Sequence, residues 1–297
     1  MNHIIPVCLW PVGAHLGEGP IWHAPSRAVY FVDIKGRQVH RCSEDGAERE
    51  SWDAPQQIGF IVPLADGDFV CGCEDGLYRF CPQTGVFSLM RQIEHDMPGN
   101  RFNDGYVDAS GQLWFGSMDN GETEPTGALY RIGADGALVR LDQDYIISNG
   151  PALSPDGKTL YHTDTRRRTI YAFDVLADGA LANKRVFVVP AAPGNPDGMA
   201  IDAEGVLWVT MFRGARIDRY LPSGELIGSI AFPVPNITKL AFGGDDLRTV
   251  FVSTAWKGMS DEERAGAPLA GGLFSFRSPT PGLPHYTCHA NVGALAG

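Results

Sequence analysis

GPALSPDGKTLYHTDTRRRTIYAFDV, residues 150–175, is the stretch that decides the fold, because its grammar returns along the whole chain. A short apolar run (PAL) meets an Asp/Gly-rich turn (SPDG), an alternating run follows (LYHTD), and a third run carries Tyr and Phe (IYAFD). The sequel from Asp197, DGMAIDAEGVLWVTMFRGARIDRYLPSGE, has the same order. So does DGYVDASGQLWFGSMDN from Asp104, continued by GALYRIGADGAL from Gly127. Looser copies start at Glu18 (EGPIWHAPSRAVYFVDIKGRQVHRCSEDG), Ile58 (IGFIVPLADGDFVCGCEDGLYRFCPQTG) and Thr238 (TKLAFGGDDLRTVFVSTAWKG), which makes six. Short alternating runs bounded by Gly, Asp and Pro are strands joined by tight turns, and a period of about 40 to 50 residues marks a repeat architecture.

Three or four strands per unit, six times over, predict an all-β, six-bladed β-propeller that takes in residues 1–297 as a single domain. A β-sandwich needs no fixed period, and an alternating β/α protein needs amphipathic helices between its strands. The best helical stretch, SDEERAG from Ser260, suffices for one or two turns. The apolar run IIPVCLW near the N-terminus is expected to add a strand to the blade of residues 238–290 and so close the ring.

Composition narrows the function. A formal net charge of −11 argues against nucleic acid or an anionic membrane surface as partner. No segment approaches the apolar length of a membrane span, and the first residues lack the basic and apolar regions of a secretory signal. The six cysteines form no Cys-x-x-Cys pair and read as free, mostly buried thiols, with Cys71 and Cys73 on one strand face. A cytoplasmic protein, monomeric or weakly oligomeric, is the expectation.

In a propeller the first strand of each blade lines the central channel. The same phase of each copy gives Glu18, roughly Ile58, Asn103, Asn149, Asp197 and Thr238. A turn explains any one Asn or Asp before Gly, but not Glu18, nor the register of polar residues across blades. Two carboxylates, Glu18 and Asp197, with one or two amide oxygens make an all-oxygen set suited to a hard divalent ion such as Ca²⁺, Mg²⁺ or Mn²⁺. Without a cation the two carboxylates repel, and one takes up a proton. His-Glu-x-x-His, Gly-x-Ser-x-Gly and phosphate-cradling Gly-rich loops are missing. The run Arg166-Arg167-Arg168 reads as a solvated turn, and His162 as a packed strand residue.

LGEGPIWH, VYFVDI, NRFNDG, LWFGSM, SNGPALSPDGKTLYHTDT, PDGMAID and GGLFSF, in that order over about residues 12 to 277, resemble the SMP-30/gluconolactonase family, which includes regucalcin and bacterial sugar lactonases. The resemblance implies one divalent metal held by Glu18, Asn149 and Asp197, and substrate contacts from Arg101 and Asn103. It also implies a further polar group after GSM, where Asp119, Asn120 or Glu122 stands, and a variable pair at the pocket mouth, here Trp256-Lys257. The expected reaction is hydrolysis of a pentono- or hexono-lactone to its aldonic acid, with Asp197 as general base. The metal is left open among Ca²⁺, Mg²⁺, Mn²⁺, Zn²⁺ and Fe²⁺. Two alternatives stand beside this: an esterase or organophosphate hydrolase on the same scaffold, and a non-enzymatic calcium-binding regulator.

Overall fold

The computed structural model describes residues 4–293. Six four-stranded antiparallel sheets follow one another along the chain. Their innermost strands are Gly17–His23, Phe60–Pro63, Asn100–Val107, Ser148–Leu153, Asn195–Ile201 and Asn236–Gly243. Each touches the innermost strand of the next blade, and the last touches the first, so the ring closes into a six-bladed β-propeller. We number the blades 1 to 6 in that order.

The predicted closure is present. Val7–Trp10 pairs antiparallel with Leu273–Arg277, Cys8 opposite Phe274, and supplies the outermost strand of blade 6. The helix after Ser260 is one short piece, Asp261–Gly266, with a capping box between Ser260 and Glu263.

Alternating runs fold this way because both faces of a blade are covered by neighbouring blades. Six apolar clusters fill the interfaces between blades. Tyr30 and Val32 of blade 1 meet Phe69 and Phe80 of blade 2, for example, and Trp22 and Phe31 of blade 1 meet Phe251 and Leu273 of blade 6. Cys71 and Cys73 point into one cluster, as their spacing predicts, and all six cysteines are free. The acids of the repeated turns are structural. Asp108 accepts from the backbone of Ser110 and Gln112 and from the Trp114 indole at 2.8 Å. Asp202 does the same for Glu204, Val206 and Trp208. The turn of Arg166 and Arg167 is exposed. Among the described residues no helix is long and apolar enough to cross a membrane.

Candidate active site

The inner strands carry a repeated irregularity. In blades 1, 3, 4, 5 and 6 the pairing with the second strand gains one residue: between Glu18 and Ile21, Phe102 and Gly105, Asn149 and Ala152, Pro196 and Met199, and Ile237 and Lys239. Such a bulge bends the strand and re-aims a side chain. It falls at or just after Glu18, Asn103, Asn149, Asp197 and Thr238, the phase picked out from the sequence. At blade 4 the bulge uses Gly150 at φ +83, where an L side chain is strained.

Glu18, Asn103, Asn149, Asp197 and Arg101 line one depression of about 360 Å³ around the axis. Its rim consists of the hairpins that join the second and third strands of the blades, which contribute Glu122 and Lys257, while Leu16, Ile147 and Phe212 supply the apolar side chains. A separate cavity at the far ends of the inner strands is mostly apolar, with Lys239 and His285 among Leu283, Tyr286 and other apolar side chains, and is lined by no carboxylate.

The floor is rich in acceptors and poor in donors. Glu18 is 5% exposed and accepts only from the Gly19 amide, at 3.0 Å. Asp197, 6% exposed, receives no donor among the described residues. Burial and then the Asp104 carboxylate push the Glu18 carboxyl up to about 8. Asp197 is pushed up by burial first and by Glu18 second. The Asn149 amide donates to Thr165 Oγ1 at 2.8 Å, and its Oδ1 accepts from Asn103 Nδ2 at 3.0 Å. Two buried carboxylates and an oriented amide oxygen, with lone pairs to spare, fit a hard divalent cation, which would offset the cost of burying both charges. No group of three or more His, Cys, Asp or Glu side chains suited to a metal occurs among the described residues.

Arg101 is 2% exposed. Its Nε donates to Asn120 Oδ1 at 3.2 Å, and its Nη1 to Phe102 O at 3.1 Å and Asn103 Oδ1 at 2.6 Å. Both ends of the Asn103 amide are thereby engaged by protein, since Nδ2 also donates to Ser148 O at 2.7 Å. Asn120 stands behind the wall as an acceptor for Arg101 and for Lys35. Asp119 does not line the depression. Its carboxylate accepts from the amides of Gly121, Thr123 and Glu124 and is held down to about 2 by those bonds, chiefly Glu124 and Thr123. Asp33 and Asp164, the matching last residues of second strands, each accept from an amide of their own hairpin, Gly36 and Arg167, and from the segment leading into the inner strand, at His15 and at Ile146. Ser148 and His162, 3.0 Å apart and fully buried, line no part of the site.

An SMP-30/Gluconolactonase/LRE-like region model matches residues 16–256, from the floor of blade 1 to the rim of blade 6. The chain belongs to the SMP-30/gluconolactonase family. Family relatives include L-arabinolactonase of Azospirillum brasilense, 35% identical over 273 residues, 90% of each chain. 6-Deoxy-6-sulfogluconolactonase of Pseudomonas putida is 30% identical over 269 residues, covering 90% of this chain and 92% of that one. Among solved structures, the calcium-binding protein regucalcin from Agrobacterium tumefaciens superposes with a TM-score of 0.90 at 28% identity, covering 95% of this chain and 96% of that one.

Phe212, which lines this SMP-30/gluconolactonase site, and Lys35 and Glu74, whose charges lie near Arg101, were not singled out by sequence reasoning. All three lie at or beside the end of a second strand. That second phase of the repeat was the available signal.

Proposed function

We propose that this protein is a metal-dependent hydrolase that opens a sugar lactone to its aldonic acid. The observation that carries the reading is the Asp197 carboxylate, buried beside Glu18 with no protein donor, in the depression that also holds Asn149 and Arg101. Glu18, Asn149 and Asp197 would hold one divalent ion among Ca²⁺, Mg²⁺, Mn²⁺, Zn²⁺ and Fe²⁺. Bound there, such an ion supplies Lewis-acid polarisation of the lactone carbonyl and lowers the pKa of water.

The side chains do the rest. Asp197 accepts the proton as water oxygen adds to the carbonyl carbon. The ring C–O bond then breaks, and the proton passes to the departing ring oxygen, which leaves as a hydroxyl. Arg101 presents its Nη2 donors to substrate oxygens, and Asn103 holds both Arg101 and Asn149 in place. The polar wall supports a sugar over an aryl ester or organophosphate, because the apolar lining is limited to Leu16, Ile147 and Phe212. The relatives named for lactonases differ in the sugar, so the ring and chain length are open. The free thiols suit a reducing cytoplasm, and the proposal takes the protein to act as a single-domain monomer or weak oligomer without nucleic acid or membrane.

The test is turnover of pentono- and hexono-lactones by stripped protein reloaded with each metal. Hydrolysis at least about a thousandfold above buffer is expected for one pairing. Asp197→Asn should abolish it, together with the metal-induced stabilisation, which amounts to about 2.7 kcal/mol at a hundredfold excess over Kd and is read as a rise in Tm. Metal binding with no lactone hydrolysed above the buffer rate would leave a calcium-binding regulator as the reading.

A further inference from the structure

Beyond the two floor carboxylates, the depression is lined by two cations, Arg101 and Lys257, and one carboxylate, Glu122. Arg101 is in no ion pair, and its Nη2 has no acceptor among the described residues. Lys35, likewise in no ion pair, donates at 2.7 Å to Asn120 Oδ1, the atom that already accepts from Arg101 Nε. One neutral amide oxygen therefore serves two cations. A third cation, Lys257, reaches across from the blade 6 hairpin to pair with Glu122 of the blade 3 hairpin. A second carboxylate, Glu74, accepts from Gln57 and forms no ion pair with Arg101 or Lys35. Of these groups Arg101, Lys257 and Glu122 line the depression, and Lys35 and Glu74 do not. Burial first, and then the charges of Arg101 and Lys257, press the Lys35 ammonium down to about 8. On the hydrolase reading, on which this inference rests, Glu18 and Asp197 are neutralised by their divalent ion and cannot balance Arg101.

The Arg101 guanidinium keeps its Nη2 donors open to the depression with no carboxylate in hydrogen-bond contact, and its fork matches carboxylate, sulfonate and phosphate alike. Lys257 has donors left over after Glu122 takes one. With the lactone carbonyl over the Glu18–Asn149–Asp197 floor, only the remote end of the substrate reaches the rim.

We propose that the substrate is an acidic lactone, an aldonolactone with a second, anionic group at the end remote from the lactone carbonyl, received by Arg101 Nη2 and Lys257 with Lys35 behind them. Carboxylate, sulfonate and phosphate share this chemistry. The experiment compares kcat/KM of the metal-loaded protein for neutral gluconolactone with glucarolactone, sulfonated gluconolactone and phosphogluconolactone, which distinguishes the three. At least one acidic lactone should be preferred by about tenfold or more, the worth of one charge-assisted contact. Lys35→Gln and Lys257→Gln should each lower that ratio, as should raising salt from about 0.05 to about 0.5 M. Gluconolactone turned over as well as every acidic lactone, or a preference untouched by both substitutions, would overturn the inference while leaving the hydrolase reading standing. If no lactone is hydrolysed, the hydrolase reading falls. Calorimetric binding of open-chain glucarate against gluconate then decides the anion site alone: tighter glucarate supports it, and equal affinity overturns it.

Discussion

At the residue scale, the floor was legible and the loop after GSM was not. Glu18 stood out because no turn explains a Glu there, and Asp197 and Asn149 because they share its phase. Asp119 and Glu122, three residues apart, compete for one role, and only the hydrogen bonds separate them. Asp119 is spent on the amides of its own hairpin, whereas Glu122 lines the depression and pairs with Lys257. We therefore expect opposite signatures. Glu122→Gln should raise KM for the lactone by about tenfold with little change in stability. Asp119→Ala should cost about 1 kcal/mol of unfolding free energy, like loss of a helix N-cap acceptor, with a much smaller effect on KM. Steady-state kinetics and urea titration of the two variants check this. Lys35 stayed hidden because a lone Lys in a turn is ordinarily a solvated residue. Its meaning depends on Arg101, distant in sequence, arriving at the same amide oxygen.

At the element scale, strands and turns were readable from alternation, and the closing strand Val7–Trp10 from its apolar run. The bulges were not, because an inserted residue leaves the alternation on either side intact. They nevertheless set where the ligands point. Gly150 in blade 4 makes the point testable. A Cβ there would sit 3.4 Å from Tyr161 O and 3.5 Å from Met199, so space is adequate, yet φ +83 is strained for alanine. The Gly150 amide also donates to Asp104 at 3.0 Å, and Asp104 pairs with Lys239 of blade 6. Gly150→Ala should destabilise the protein by roughly 1–2 kcal/mol and weaken metal affinity at Asn149, as read by thermal unfolding with and without metal. Unchanged metal affinity in a destabilised variant would mean that the bulge does not set the Asn149 geometry.

At the scale of the whole molecule, closure buries polar residues that the sequence placed on ordinary strands. His40 and His162 are 2% and 0% exposed, and burial holds their imidazoles down to about 4 and about 3. The unfolded chain takes up these protons near pH 6.5, whereas the folded one does not. Below that pH the unfolded state binds more protons, so stability is full above about 6.5 and falls as pH drops toward the folded values. Each histidine withdraws up to about 1.4 kcal/mol per pH unit across that window. Urea midpoints between pH 6.5 and 4.5 should fall steeply in the wild type and less steeply in His162→Gln, in which His40 and His285, the latter also held down to about 4 by burial, still contribute. Identical slopes would show that the buried imidazole is not the origin.

The floor and the rim are built from different parts of each blade. Floor groups sit on inner strands clamped on both sides by neighbours, while Glu122 and Lys257 of the rim sit at hairpins outside the strands. The reaction and the choice of molecule are therefore separately mutable. Residues 121–125 or 166–167 can be exchanged for loops of other lengths, as a grafted library, provided Asn120, which accepts from Arg101, and Thr165, which accepts from the Asn149 amide, are kept.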